Sequence, residues 1–157
     1  MEFEIRVFEG ETVAGVCRRT SFAHDLTSEI WREFRSREHE IPDRVGSETY
    51  SIKVYGPDHS FSRFDPAAEF EKWAAAPVGW AAGSFDGMRI PPGEYAVFIH
   101  RGPASDAART FGYIFGEWLP ASEFEIDLRP HFEILPAGYD PFDPAAEEEI
   151  WVPVKRK

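Results

Sequence analysis

The chain has 157 residues, with 17 Lys and Arg against 28 Asp and Glu, giving a formal charge of −11; 15% of it is aromatic and it has one cysteine. That charge argues against direct nucleic-acid binding, which takes clustered Lys and Arg, and the lone Cys17 excludes an internal disulfide and any multi-cysteine metal site. The N-terminus MEFEIRVFEGE does not read as a signal peptide, and no apolar run nears the ~20 residues of a transmembrane helix, so the expectation is a soluble, cytoplasmic, single-domain protein with no membrane partner.

Phe3, Ile5 and Val7 alternate with Glu2, Glu4 and Arg6, which predicts a strand. Val13 to Cys17 predicts a second one beyond Gly10. Asp25 and Thr27 offer helix caps, and Leu26, Ile30, Trp31 and Phe34 line one helical face ending before Pro42. Tyr50, Ile52 and Val54 form the next strand, stopped by Gly56, Pro57 and Asp58. A short strand runs from about Glu69 to Ala75. Pro77 to Gly93 reads as a connection between halves. Tyr95 to His100 predicts a central strand buried on both faces. Ala107, Ala108, Phe111, Ile114, Phe115 and Trp118 sit at helical spacing, with Pro120 as stop. His131–Leu135 and Glu148–Val154 complete the strands.

The order strand, helix, strand, strand is thus given twice. Phe64-Asp-Pro-Ala-Ala-Glu-Phe-Glu-Lys-Trp73 matches Phe142-Asp-Pro-Ala-Ala-Glu-Glu-Glu-Ile-Trp151 at eight of ten positions, 78 residues apart. Ser51-Ile-Lys-Val lies opposite His131-Phe-Glu-Ile. An internal duplication is the expectation, with halves at about 1–80 and 90–157 of one domain spanning 1–157. The fold class follows as α+β: two pseudo-symmetric β-α-β-β units with antiparallel sheets.

Strand alternation puts Ile150, Val152 and Val154 on one face of the last strand and Glu149 and Trp151 on the other. If the apolar series rests on the helices, Glu149 and Trp151 face the other half, and the repeat gives Glu71 and Trp73 the same geometry. Glu133, read the same way, also faces away from the helices, with Lys53 as its counterpart. Tyr55, and Tyr95 or Phe98, complete an aromatic set. Carboxylates among aromatic rings suit a flat, apolar, often cationic molecule, since ring faces attract cations and a desolvated carboxylate gains from neutralisation. They also suit a carboxyl with a raised pKa working as general acid or base. The plainer readings stay open: Glu147–Glu149 as a solvated run, Trp73 and Trp151 as core, and Glu133 paired with Arg129 or Lys53. The five histidines show no metal-ligand spacing, and no phosphate-binding loop or nucleophile elbow occurs, so no metal and no cofactor is expected. Cys17 reads as a packing residue.

Gly93-Glu-Tyr-Ala-Val-Phe-Ile-His-Arg-Gly-Pro103, Tyr113-Ile-Phe-Gly-Glu-Trp-Leu-Pro120, Arg129-Pro-His-Phe-Glu133 and Glu148-Glu-Ile-Trp-Val-Pro153, with the doubled unit, resemble the GyrI-like small-molecule-binding domain. This is the effector-binding domain of bacterial regulators of the AraC and MerR types. The resemblance covers nearly the whole chain and is most specific in the second half. It implies a ligand cleft between the two units, helices outside, and a carboxylate at the pocket floor, a role that falls to Glu133 or Glu149 with Trp151 beside the latter. The first strand begins at about Glu2, so the chain resembles the stand-alone members.

Three functions are therefore expected in order: binding of hydrophobic, often cationic planar compounds; hydrolysis of electrophilic xenobiotics such as cyclopropane genotoxins, with Glu133 and Glu149 as the catalytic pair; and inhibition of DNA gyrase through protein contact. The expected partner is a small hydrophobic or cationic organic ligand, with a protein partner under the third reading.

Overall fold

A computed structural model describes residues 1–157. Its elements in chain order are β1 (Phe3–Phe8), β2 (Glu11–Thr20), α1 (Thr27–Arg37), β3 (Thr49–Val54), β4 (Phe70–Val78), β5 (Asp86–Ile90), β6 (Gly93–Arg101), α2 (Ala107–Tyr113), β7 (Phe124–Ile126), β8 (His131–Leu135) and β9 (Glu147–Arg156). Helix α2 runs on through a π-helical turn, Ile114–Trp118, and a last turn, Leu119–Ala121. The expected stop at Pro120 comes one residue later, because proline is tolerated in the first positions of this final turn. At the start of α1, Asp25 Oδ1 accepts hydrogen bonds from the Thr27 N–H and hydroxyl, so one otherwise unpaired amide is satisfied.

All strand pairs are antiparallel, and the sheet order is β1-β6-β9-β8-β3-β4-β2-β5, with β7 added beside β9. Read outward from the central β8–β3 pair, each side has the same sequence of roles. The outermost strands are exchanged. β1 opens the chain yet lies on β6 in the second half, while β5 leads into the second half yet lies on β2 in the first. The fold is α+β as expected. The stretch from Pro77 to Gly93, expected as a connection, contains β5, and β6 lies between β1 and β9.

The sheet buries both faces. On one, α1 covers Ala14, Val16, Ala74, Ala76 and Val78 through Ile30 and Phe34. On the same face of the other half, α2 and its π turn cover Ala96, Phe98, Ile150 and Val152 through Ile114 and Trp118. The opposite, inner face closes on itself around Phe8, Tyr50, Trp73, Tyr95, Phe132 and Trp151. Phe132 is central there, stacked on Tyr50 at 5.5 Å and on Trp151 at 5.4 Å.

Candidate ligand site

The helix-covered face carries apolar residues at its two ends and a polar island in the middle, on β3, β4, β8 and β9. Strand register fixes its members: Ser51 lies opposite Glu133, Lys53 opposite His131, and Lys72 opposite Lys53. The Lys53 ammonium is 3.6 Å from Glu133 Oε1, both side chains being only 15% exposed. The same ammonium lies 4.3 Å from the centre of the Phe111 ring on α2. Lys72 donates a buried hydrogen bond of 2.6 Å to Ser51 Oγ. Glu148, buried on β9, accepts a hydrogen bond from the Tyr139 hydroxyl at 3.0 Å.

Burial dominates the electrostatics. It pushes Glu148 up to about 7, with Glu133 adding to the rise and Tyr139, Lys53 and Lys72 opposing it. Burial, with Lys53 close by, lowers Lys72 to about 8. Burial also lowers His131 to about 3, so its ring is neutral near pH 7. For Lys53, burial acts downward, but Tyr55, Glu133 and Glu148 outweigh it and its pKa is raised. Lys53 is therefore a cation held in a low-dielectric place by the groups around it.

An aromatic panel roofs the island. Phe61, from the chain between β3 and β4, is stacked on Phe115 at 5.4 Å and on His131 at 5.2 Å. Tyr55 meets the His131 ring edge-on at 4.9 Å. Tyr55, Phe111, Phe115 and His131 line a cavity of about 10 Å³ with the Lys53–Glu133 pair.

The expected site residues fall in three places. Glu133 and Tyr55 belong to the polar island. The expectation that Glu133 faces away from the helices is corrected: Phe132 and Ile134 take the inner face and Glu133 points to the helix side, beside Lys53. The reason is that both faces of β8 are covered, so its apolar residues do not mark the helix side. Glu71, Trp73, Glu149 and Trp151 lie on the inner face. There the Trp151 indole donates to Glu149 at 2.9 Å and the Trp73 indole donates to Glu71 at 3.2 Å, the same bond in each half. Arg6 stands 3.7 Å from Glu149. Glu149 and Glu133 are thus on opposite faces of the sheet. Tyr95 is fully buried in the inner core with its hydroxyl donating to Pro130 O at 2.9 Å. Phe98 is fully buried under α2 against Trp118. Lys72, Glu148, Phe61, Phe111 and Phe115 were not anticipated as site residues. The usable signal was Lys53 lying opposite Glu133 in the repeat.

A family model, the GyrI-like small molecule binding domain, matches residues 1–155. The chain belongs to this family. Among curated proteins it is 29% identical over 132 residues to the transcriptional regulator BrlR of Pseudomonas aeruginosa, covering 83% of this chain and 47% of that one. The chain thus spans about half the length of the curated relative it matches. Among solved structures it is similar to SAV2435 bound to tetraphenylphosphonium, with a TM-score of 0.76 at 15% identity, covering 99% and 94% of the two chains. It is also similar to EcmrR in its complex with DNA, with a TM-score of 0.72 at 14% identity, covering 99% of this chain and 58% of that one. At these identities the structural likenesses establish the GyrI-like fold. No helix of the chain is long and apolar enough to cross a membrane.

Proposed function

We propose that this GyrI-like domain binds flat hydrophobic, often cationic compounds between α2, the 55–69 segment and the central strands. The observation that carries this reading is the Lys53 ammonium, held 3.6 Å from a carboxylate and 4.3 Å from an aromatic ring centre. The site already accommodates a buried cation with the chemistry an organic cation would use. The tetraphenylphosphonium held by SAV2435 is a hydrophobic organic cation with flat phenyl arms, though tetrahedral at phosphorus. We read the matched halves as an internal duplication, about 1–80 and 90–157, working as one cytoplasmic binding unit.

Calorimetric titration of tetraphenylphosphonium tests the reading. Saturable binding is expected, weakened about tenfold in Glu133→Gln, where a charge-assisted contact is lost. No saturable binding, or the same affinity in Glu133→Gln, overturns it.

A second reading, hydrolysis of an electrophilic compound, is favoured by one observation: Glu148 is raised to about 7 beside a second carboxylate. Mass spectrometry of a cyclopropane-bearing compound after incubation tests it. Product formation that is lost in Glu148→Gln supports turnover, and no product above buffer removes it.

A further inference from the structure

The cavity beside Lys53 and Glu133 leaves little room for a ligand: it is about 10 Å³, at the lower limit of roughly 10–15 Å³ for one water. Lys53 lines it, and Phe61 covers two of its lining rings, Phe115 and His131. The Lys53 ammonium takes the position between Glu133 and Phe111, and the Phe61 ring lies nearly parallel to Phe115 and His131, at 20° and 18°. A cation and a stacked ring at one site are the two features of the ligand class proposed above.

We propose that Lys53 and Phe61 together form a built-in occupant of the ligand site, which an incoming ligand must displace. The inference rests on the proposed site and names what limits its affinity and sets its charge preference.

Phe61 is placed to leave. Backbone and side-chain hydrogen bonds around it stay local, from His59 N to Gly56 O and from Arg63 N to Ser60 Oγ; the first tie to another element is Ala23 N to Pro66 O. No hydrogen bond of the 56–65 stretch reaches the rest of the fold; the Phe61 ring is held over the site by aromatic contacts, stacked on Phe115 and His131 and edge-on to Tyr55 and His59. Lys53 cannot swing away with that segment, because it sits within β3. Its side chain must release Glu133 and Phe111 by rotating about its own bonds. The two parts of the occupant thus exclude ligands on different grounds. The Phe61 ring excludes any body of its size, charged or neutral. The Lys53 ammonium satisfies Glu133, so a cationic ligand gains that carboxylate only after displacing it, and part of the gain is offset.

The test compares tetraphenylphosphonium with neutral triphenylphosphine oxide, by calorimetry on the whole chain. Lys53→Met is expected to tighten tetraphenylphosphonium about tenfold and move the oxide by less than about twofold. Lys53→Arg, which keeps the charge, is expected to give no cation-selective gain. Phe61→Ala is expected to tighten both compounds. If Lys53→Met gives no cation-selective gain while Glu133→Gln still weakens wild-type binding, the built-in occupant is overturned and the site stands. If Phe61→Ala weakens both compounds, the ring is part of the binding wall and its half of the proposal falls. If neither wild type nor any variant binds tetraphenylphosphonium, the proposed site falls with it.

Discussion

The Tyr139 hydroxyl, on the segment after β8, caps Glu148 Oε2 of β9 at 3.0 Å, and the bond joins a loop to a carboxyl that burial drives toward its neutral form. Glu148 titrates at about 7 in the folded chain against 4.5 for the unperturbed group. Between those values the folded state holds a proton that the unfolded state has released, so stability falls as pH rises through the window. The penalty is absent below about 4.5 and complete above about 7, where it amounts to ~3 kcal/mol. Glu148→Gln stays neutral and still accepts from Tyr139. Urea unfolding should show it level with wild type near pH 4 and more stable at pH 8; parallel profiles for the two proteins would contradict this.

Glu149 lies on the sheet face opposite Glu133, engaged by the Trp151 indole and Arg6. Glu149→Gln is expected to change tetraphenylphosphonium affinity by less than about twofold, while Glu133→Gln weakens it about tenfold. The reverse ranking would move the ligand to the inner face, where Glu71 and Trp73 repeat the same bond.

Gly15 sits in β2 opposite Ala75, and a methyl group there would overlap Ala74 O. The neighbour is backbone inside a paired strand and cannot turn aside. Gly15→Ala should destabilise the fold by about 3 kcal/mol or more, through forced separation of β2 and β4. Chemical denaturation with an unchanged midpoint would refute the tightness of this approach.

The Cys17 thiol is pushed up to about 12 by burial, with Glu71 and Asp86 adding to the rise. At pH 8 its thiolate fraction is then on the order of a thousandfold below that of an unfolded cysteine. Iodoacetamide should label the native chain far more slowly than the urea-unfolded one. Equal rates would show that the thiol is not held as described.

Much of this fold was legible because its strands alternate cleanly. Phe3, Ile5 and Val7 gave β1, and Tyr50, Ile52 and Val54 gave β3. Helix α1 was legible through Ile30 and Phe34, which are its buried residues. β5 was not legible, since Asp86-Gly-Met-Arg-Ile mixes a glycine with polar ends and is a strand only because β2 offers it an edge. The site was half legible. Period two places Glu149 with Trp151 correctly relative to Ile150 and Val152. It put Glu133 on the wrong face, because β8 is apolar toward the inner core and polar toward the helices. Lys72, Glu148 and Phe61 come together only through strand register and a folded-over segment, neither of which is written in local spacing.

The exchange of β1 and β5 between the two sides of the sheet bears on how the chain comes apart. Each half borrows its outermost strand from a segment that belongs in sequence to the other, so neither half closes its own sheet. A chain cut near residue 80 would leave β2 without β5 and would carry β1 away from β6. Melting should therefore proceed as a single cooperative event for all 157 residues, without a half-folded plateau. Pairings as distant as β1 with β6 must form before either half gains its full stability, which sets folding among the slower, topology-limited cases.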